Sequence, residues 1–277
     1  MATFVITRLT FQEAARRKIL LAALLLGVVF LIIYGVGYHY MNLELMKPSG
    51  PRALERNEIR SFLLMAGLYV VNFLTIMMAV LTSVDTLSGE IASGTIHTLA
   101  SKPIRRWEIV LGKWLGFSGM LTLYLLLMAV GVVGLVYFIS GYLPPNALHG
   151  LGLMWLNGVL LVGVSLAGGA VLSTLTNGVL VFGLYGIAFL GGWIEQVGAF
   201  LENQTAINVG IISSLILPSE ALWKRAAFEM ESPMVRALGF SPFSSPVVPS
   251  PLMISYAILY GLAALVLAIR LFKRRDL

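Results

Sequence analysis

The fold is decided by residues 114–194, which read WLGFSGMLTLYLLLMAVGVVGLVYFISGYLPPNALHGLGLMWLNGVLLVGVSLAGGAVLSTLTNGVLVFGLYGIAFLGGWI. These 81 residues contain no Asp, Glu, Lys or Arg. A transmembrane helix needs about 20 consecutive apolar residues, so the stretch is long enough for three crossings. Two breaks divide it. Residues 141–146 contain a Pro-Pro pair and predict a turn, and residues 173–178 predict a weaker break that ends in the turn-forming pair Asn177-Gly178.

The composition of the whole chain points to the same environment. Of the 277 residues, 58% are hydrophobic and only 12% are charged, with a formal net charge of +6. Soluble domains carry roughly 25% charged residues, so this chain has too few to cover a surface exposed to water. The basic residues flank the apolar runs, where they would meet anionic lipid rather than nucleic acid. The chain has no cysteine, which excludes disulfides and thiolate metal sites.

Together with the central stretch, the flanking sequence predicts an all-α, polytopic membrane protein with a single transmembrane domain over residues 1–277. Residues 1–18 mix apolar and basic side chains at helical spacing, which predicts an N-terminal helix in the membrane interface. Residues 201–251 are irregular and rich in proline, which predicts short re-entrant helices before the last span. The six predicted spans are residues 19–38, 61–84, 111–140, 151–172, 179–200 and 252–270, with a polar loop at 85–108.

The distribution of basic residues predicts the orientation. Six crossings place both termini on one side of the membrane, together with the loop at 85–108. That side would carry twelve Lys and Arg residues against seven on the other side. The positive-inside rule therefore predicts that both termini are cytoplasmic and that the chain lies in the cell membrane. The margin is moderate, because four of the seven lie close together in the first loop of the opposite side.

The loop at 85–108 is the most informative stretch, and it reads DTLSGEIASGTIHTLASKPIRRWE. Its spacing predicts a short amphipathic helix from Glu90 to Ala100 that Pro103 ends. Arg105-Arg106-Trp107 would mark the return to the membrane interface. An ordinary solvated loop with basic anchors fits the same spacing equally well.

This loop resembles that of the permease subunits of type-2 ABC exporters. The matching positions are Glu90, Gly94, Thr95, Leu99, Ser101, Lys102, Pro103, Ile104, Arg106, Glu108, Leu111, Gly112 and Lys113. Residues 9–18 are similar to the elbow helix of that family, and residues 272–277 are similar to a common ending of its chains. The resemblance covers the full length, including the six spans and the long segment before the last one.

The resemblance implies a set of partners. Two permease chains, as a homodimer or a heterodimer, would each bind a separate ATPase subunit at the cytoplasmic face and export a substrate. The loop would be the coupling helix, seated in a groove of the ATPase. Glu90 would accept hydrogen bonds or pair with a basic residue there, while Lys102, Arg105 and Arg106 would anchor the loop on lipid phosphate or on the ATPase. The implied coupling residues are Glu90, Gly94, Thr95, Leu99, Lys102, Pro103, Arg105 and Arg106.

The same resemblance implies that this chain has no catalytic residue, metal or cofactor of its own. A transporter that consumes ATP needs a P-loop, and no Gly-x-x-x-x-Gly-Lys-Ser/Thr occurs in the sequence. ATP and Mg would then be bound by the partner ATPase. The short re-entrant helices between the fifth and sixth spans would cap the exit path.

Two side chains within the apolar region are candidates for a transport pathway. Glu195 is a functional candidate because acids inside a membrane are costly; the alternative is that its helix simply ends there in water. Asn157, like Thr174, Thr176 and Asn177, would either line a polar path or satisfy neighbouring backbone groups. The three histidines are scattered and lack the paired spacing of metal ligands.

Three other functions remain open. A transporter or channel that works alone would need intramembrane charges for ion coupling, and the spans have almost none. An intramembrane enzyme would need a nucleophile with a base, and no Gly-x-Ser-x-Gly is present. A membrane scaffold or sensor that transports nothing is compatible with the composition.

Overall fold

The structure is a computed structural model that describes residues 2–16, 18–47, 51, 53–95, 104–232 and 248–275. The described residues form ten helices and no strands. In chain order the helices are α1 (Ala2–Arg16), α2 (Lys18–Leu45), α3 (Ala53–Ser83), α4 (Thr86–Ala92), α5 (Arg106–Ser140), α6 (Ala147–Gly169), α7 (Thr174–Phe200), α8 (Gln204–Ile216), α9 (Ser219–Met230) and α10 (Leu252–Arg274).

Six helical segments in the described part of the chain are long and apolar enough to cross a membrane, which confirms the predicted fold class. They are α2, α3 together with α4, α5, α6, α7 and α10. The helices of the first two spans are longer than predicted, since α2 continues to Leu45 and α3 begins at Ala53. At 1.5 Å per residue α2 is about 42 Å long, so it extends beyond a hydrocarbon core of about 30 Å.

Helix α6 lies at the centre of the bundle and contacts α3, α5, α7, α9 and α10. Small residues allow this close packing. A Cβ atom at Gly158 would lie 2.8 Å from the methyl groups of Leu121 on α5. The outer helices are different, because α2 exposes Leu25 and Ile33 and α10 exposes Leu259. An apolar outer surface around a well-packed centre is the arrangement that lipid as a solvent favours.

The connection between α6 and α7 corrects one prediction. The break predicted at residues 173–178 exists but lies a few residues earlier, because α6 ends at Gly169, α7 begins at Thr174 and Asn177-Gly178 lies inside its first turns. The Ser173 hydroxyl caps the helix by accepting a hydrogen bond from the backbone N–H of Thr176 at 3.4 Å. Asn177 donates its side-chain amide to the carbonyls of Val84 at 3.0 Å and Ser165 at 2.9 Å. These tertiary bonds replace the turn that the residue type suggested.

Helices α8 and α9 form a bent pair, with an angle of 106° between them. Pro218 lies at the bend, where its missing N–H prevents a continuous helix. Such a geometry belongs either to a broken span or to a re-entrant loop. Helix α8 packs closely on α7: a Cβ atom at Gly198 would lie 2.5 Å from the Cβ of Ala206. Residues 233–247 of the predicted re-entrant segment lie outside the described residues.

Candidate functional site

One end of the bundle, which we call the terminal face, collects α1, the start of α5 and the end of α10. Arg106, the first residue of α5, donates hydrogen bonds to the carbonyls of Lys273 at 3.0 Å and Arg275 at 2.6 Å. Arg275 in turn donates to the carbonyl of Ala170, just after α6, at 2.7 Å. A cation at the carbonyl end of a helix satisfies its unpaired acceptors and opposes its dipole. The guanidinium of Arg106 therefore ties the end of the last span to the start of α5.

An ion pair joins α4 to α5 at this face. Lys113 is 3% exposed, and its ammonium contacts the Oε1 atom of Glu90. The other carboxylate oxygen, Oε2, is buried and has no hydrogen-bond partner among the described residues. Removing one partner of a buried pair leaves the other charge uncompensated, which is strongly destabilising. Glu90, predicted to face an ATPase, is therefore held inward by this chain, and its contact with an ATPase stays a prediction.

A cavity of about 440 Å³ lies between α1 and this ion pair. Its walls combine apolar and charged side chains of α1 with the two paired residues: Ile6, Leu9, Thr10, Gln12, Glu13, Arg16, Glu90 and Lys113. Helix α1, the end of α4 and the start of α5 thus form one structural unit around the Glu90–Lys113 pair.

The loop after α4 begins with a sharp reversal. Gly94 has a φ angle of 72°, a left-handed conformation that ends helices, and its N–H bonds to the carbonyl of Ile91 at 3.2 Å. A continuous helix from Glu90 to Ala100 is therefore wrong. The hydroxyl of Thr95 returns to the carbonyl of Glu90 at 3.3 Å. The predicted coupling residues Leu99, Lys102 and Pro103 lie outside the described residues.

At the other end of the loop, Arg105 is the residue that precedes α5. Its backbone N–H donates to the Oε2 atom of Glu108 at 2.9 Å. A carboxylate that accepts a hydrogen bond from the residue just before its helix stabilises the start of that helix. Of the predicted coupling residues, the structure places Glu90, Gly94, Thr95, Arg105 and Arg106 at one face, on the two ends of a single loop.

A second polar cluster at this end includes Thr174 and Asn177, which were predicted either to line a polar path or to satisfy neighbouring backbone groups. Asp85, between α3 and α4, accepts a hydrogen bond from the hydroxyl of Thr174 at 2.9 Å. The hydroxyls of Ser88 and Thr174 are 2.8 Å apart. Together with Asn177, which donates to Val84, these residues fasten α4 to the start of α7. In the sequence Asp85 is a lone acid close to several Ser and Thr residues. Only the fold shows that its carboxylate contacts Thr174.

The two pathway candidates lie in different surroundings. Asn157 is fully buried in α6, and neither atom of its amide has a hydrogen-bond partner among the residues that the structure describes. Glu195 lies within α7, which continues to Phe200, so the alternative that its helix ends there in water is wrong. Its Oε2 atom is 2.8 Å from the Nζ of Lys224 on α9, and both side chains are at most 5% exposed.

A third charged side chain joins that pair. Glu220 on α9 is buried and interacts electrostatically with both Lys224 and Glu195. Its side chain packs against α7, where a Cβ atom at Gly192 would lie 2.1 Å from its Cγ. Two carboxyl groups and one ammonium therefore connect α7 to the bent pair, near the end of the bundle opposite the terminal face.

An all-helical chain with six apolar spans and its charged side chains gathered at the two ends is a multi-pass membrane protein. The family model described as "ABC-2 family transporter protein" matches residues 4–277, and the chain belongs to this family. It is thus a permease of an ABC transporter, a membrane transport component. The comparison with curated proteins found no match.

Proposed function

We propose that this chain is the permease subunit of an ATP-driven exporter and that a separate ATPase subunit binds its terminal face. The observation that carries the proposal is the Glu90–Lys113 pair beside α1. Force applied to the loop at residues 94–105 would reach α3 and α4 through Glu90 and α5 through Lys113. Helix α1 would move with them because it packs on α5.

The residue roles follow from their positions. Gly94, Thr95, Leu99, Lys102 and Pro103 are proposed to meet the ATPase, because they follow the reversal at which α4 ends. Glu90 transmits the movement from inside the chain. Arg106 stays bound to the end of α10 and carries the same movement to the last span. ATP and Mg are bound by the partner, whose closure would tilt the spans as rigid bodies.

The assembly proposed around this chain is a pair of permeases with two ATPase subunits in the cell membrane. The terminal face is the cytoplasmic one, since it carries the larger share of Lys and Arg residues. The second permease is a copy of this chain or a related one. The candidates Glu195 and Asn157 are proposed to act on the far side and in the middle of the bundle, away from the ATPase.

Gly94→Trp is expected to disrupt the proposed contact with the ATPase, and so to lower ATP hydrolysis, without unfolding the chain. A bulky residue with a φ angle of 72° strains the reversal by about 1–2 kcal/mol and projects into the proposed contact with the ATPase. The measurement is ATP hydrolysis by the ATPase that co-purifies with the permease, together with the amount of ATPase retained. We expect a drop in hydrolysis of tenfold or more per complex.

The matched control is Gly141→Trp. Gly141 has a φ angle of 69°, ends α5 at the opposite end of the bundle and has open space around it, so the backbone strain is nearly the same. This variant should keep its ATPase and its hydrolysis rate. Equal effects of the two substitutions, or failure of any ATPase to co-purify with the wild-type chain from its native membrane, would contradict the proposal.

A further inference from the structure

A groove opens sideways from the bundle between α5, α6 and α10, and we call it the lateral groove. Its volume is about 650 Å³. It follows α6 from Leu148 to Leu160, which is about 18 Å at 1.5 Å per residue. That length is close to one half of a hydrocarbon core of about 30 Å. Leu148 is 85% exposed, so the groove is open to whatever surrounds the spans.

The walls of the lateral groove are almost entirely apolar. Leu153, Leu156 and Ile258 line its length, and Trp114 lines the end nearer the terminal face. The ionisable groups, His149 and Glu229, both lie at the other end, where α6 begins and α9 ends. A site with a long apolar channel and a polar mouth fits an amphiphile whose polar group stays at the membrane surface.

The mouth has little net charge. The Oε1 atom of Glu229 is 2.7 Å from the Nη2 of Arg225, so the carboxylate is already neutralised by a guanidinium. Arg225 also lies over the ring of Phe228, with its Cζ 5.2 Å from the ring centre. Arg225 and Glu229 together offer one positive and one negative group at the mouth. A zwitterionic headgroup matches it better than a purely anionic one.

The shape of the lateral groove suits a single hydrocarbon chain better than a helix from another copy of the chain. Its volume of about 650 Å³ is spread over about 18 Å along α6, whereas a helix with side chains is about 10–12 Å wide. A single hydrocarbon chain is narrow enough to enter. Apolar surface at this depth cannot be hydrated in a bilayer, so the groove must be filled by the hydrocarbon that reaches it.

We propose that the lateral groove binds one acyl chain of a zwitterionic phospholipid from the leaflet opposite the terminal face and retains it as a resident ligand. The headgroup lies at His149 and at the Glu229–Arg225 pair, and the chain runs along α6 toward Trp114. This inference goes beyond the proposed function, because the site faces the bilayer and requires neither the ATPase nor the transported substrate.

Gly152→Leu tests the proposal. Gly152 lines the lateral groove, and a Cβ atom built there meets no heavy atom of the described residues within 4 Å, so a leucine enters the groove without displacing the backbone. The probe is phosphatidylcholine with brominated acyl chains, titrated into the delipidated full-length protein in detergent. Bromine quenches the fluorescence of Trp114 and Trp155, both of which line the groove.

The wild-type chain should show a saturable phase of quenching that corresponds to about one lipid per chain. Gly152→Leu should raise the apparent Kd of this phase at least tenfold. The control is Gly183→Leu on α7, another exposed glycine with open space around it that does not line the groove; it should bind as the wild type does. Thermal unfolding of each variant shows that it is folded.

Several results would overturn the proposal. They are an absence of saturable quenching in the wild type, or equal apparent Kd values for Gly152→Leu and Gly183→Leu. Binding of brominated phosphatidylglycerol or of a brominated fatty acid as tightly as phosphatidylcholine would also overturn it, because the mouth would then not select a zwitterionic headgroup.

Discussion

Gly112→Ala is expected to lower the free energy of unfolding by about 1–3 kcal/mol and to displace α1. A Cβ atom at Gly112 would lie 2.7 Å from the Cβ of Ile6 and 3.0 Å from the carbonyl oxygen of Thr3. Because the first atom is fixed to the backbone of α1 and the second belongs to that backbone, no change of rotamer relieves the clash. Gly116, one turn later, is packed in the same way by Thr10.

The measurement is thermal and chemical unfolding of the purified chain in a mild detergent, with Gly134→Ala as the matched control. Gly134 is also in α5, and a Cβ atom there meets no described heavy atom within 4 Å. Its replacement should stabilise the chain by up to about 1 kcal/mol, because alanine is the better helix former. Shifts of the same sign and size for the two variants would show that α1 does not depend on close packing at Gly112.

The six spans could be predicted because the signal for a membrane helix is its length and composition, and both are present in the sequence. The packing of α1 could not be predicted. The apolar residues that stand out in the sequence, such as Phe4 and Leu9, are exposed, whereas the residues against α5 are Ile6, Thr10 and Ala14. In a membrane protein the more apolar face of a helix can meet lipid, so hydrophobicity alone does not identify the protein-facing side.

The candidate site, like the fold, could be predicted from the sequence only in part. Glu90 and Lys113 both match one family pattern, but their pairing depends on a loop that reverses between them. Spacing along the chain carries no information about two residues separated by such a reversal. Glu195 was predicted as a candidate without a partner, because Lys224 belongs to a segment whose bend at Pro218 sets its position.

Two buried ion pairs in the described part of the chain lie at opposite ends of the bundle and join different elements. Glu90–Lys113 joins α4 to α5 at the terminal face, and Glu195–Lys224 joins α7 to α9. An ion pair in a low-dielectric environment has a narrow range of favourable geometries, since separating the charges is costly. Each pair therefore makes its two elements move together. The proposed movement at the ATPase would reach the bent pair only through the helices between these two connections.

Lys224→Met is expected to be the most damaging of the single changes, with a loss of about 3–5 kcal/mol in the free energy of unfolding. It would leave Glu195 and Glu220, both buried, without their shared ammonium. Methionine keeps most of the volume of the lysine stem, so lost packing contributes little. The measurement is unfolding of the purified chain. The expected first sign is detachment of α9 from α7, which limited proteolysis would detect.

The double variant Lys224→Met with Glu195→Gln separates charge from packing. Because it removes both ionic groups, it should recover at least half of the loss, and the remaining carboxyl of Glu220 can stay neutral by retaining a proton. The control is Lys47→Met, which breaks a Lys–Glu pair of 2.6 Å between side chains that are 57% and 65% exposed. An exposed pair is worth less than about 1 kcal/mol, so this variant should scarcely change stability. If Lys224→Met and Lys47→Met had the same small effect, the Glu195–Lys224 pair would not hold the bent pair to the bundle, and Glu195 would need another explanation for its burial.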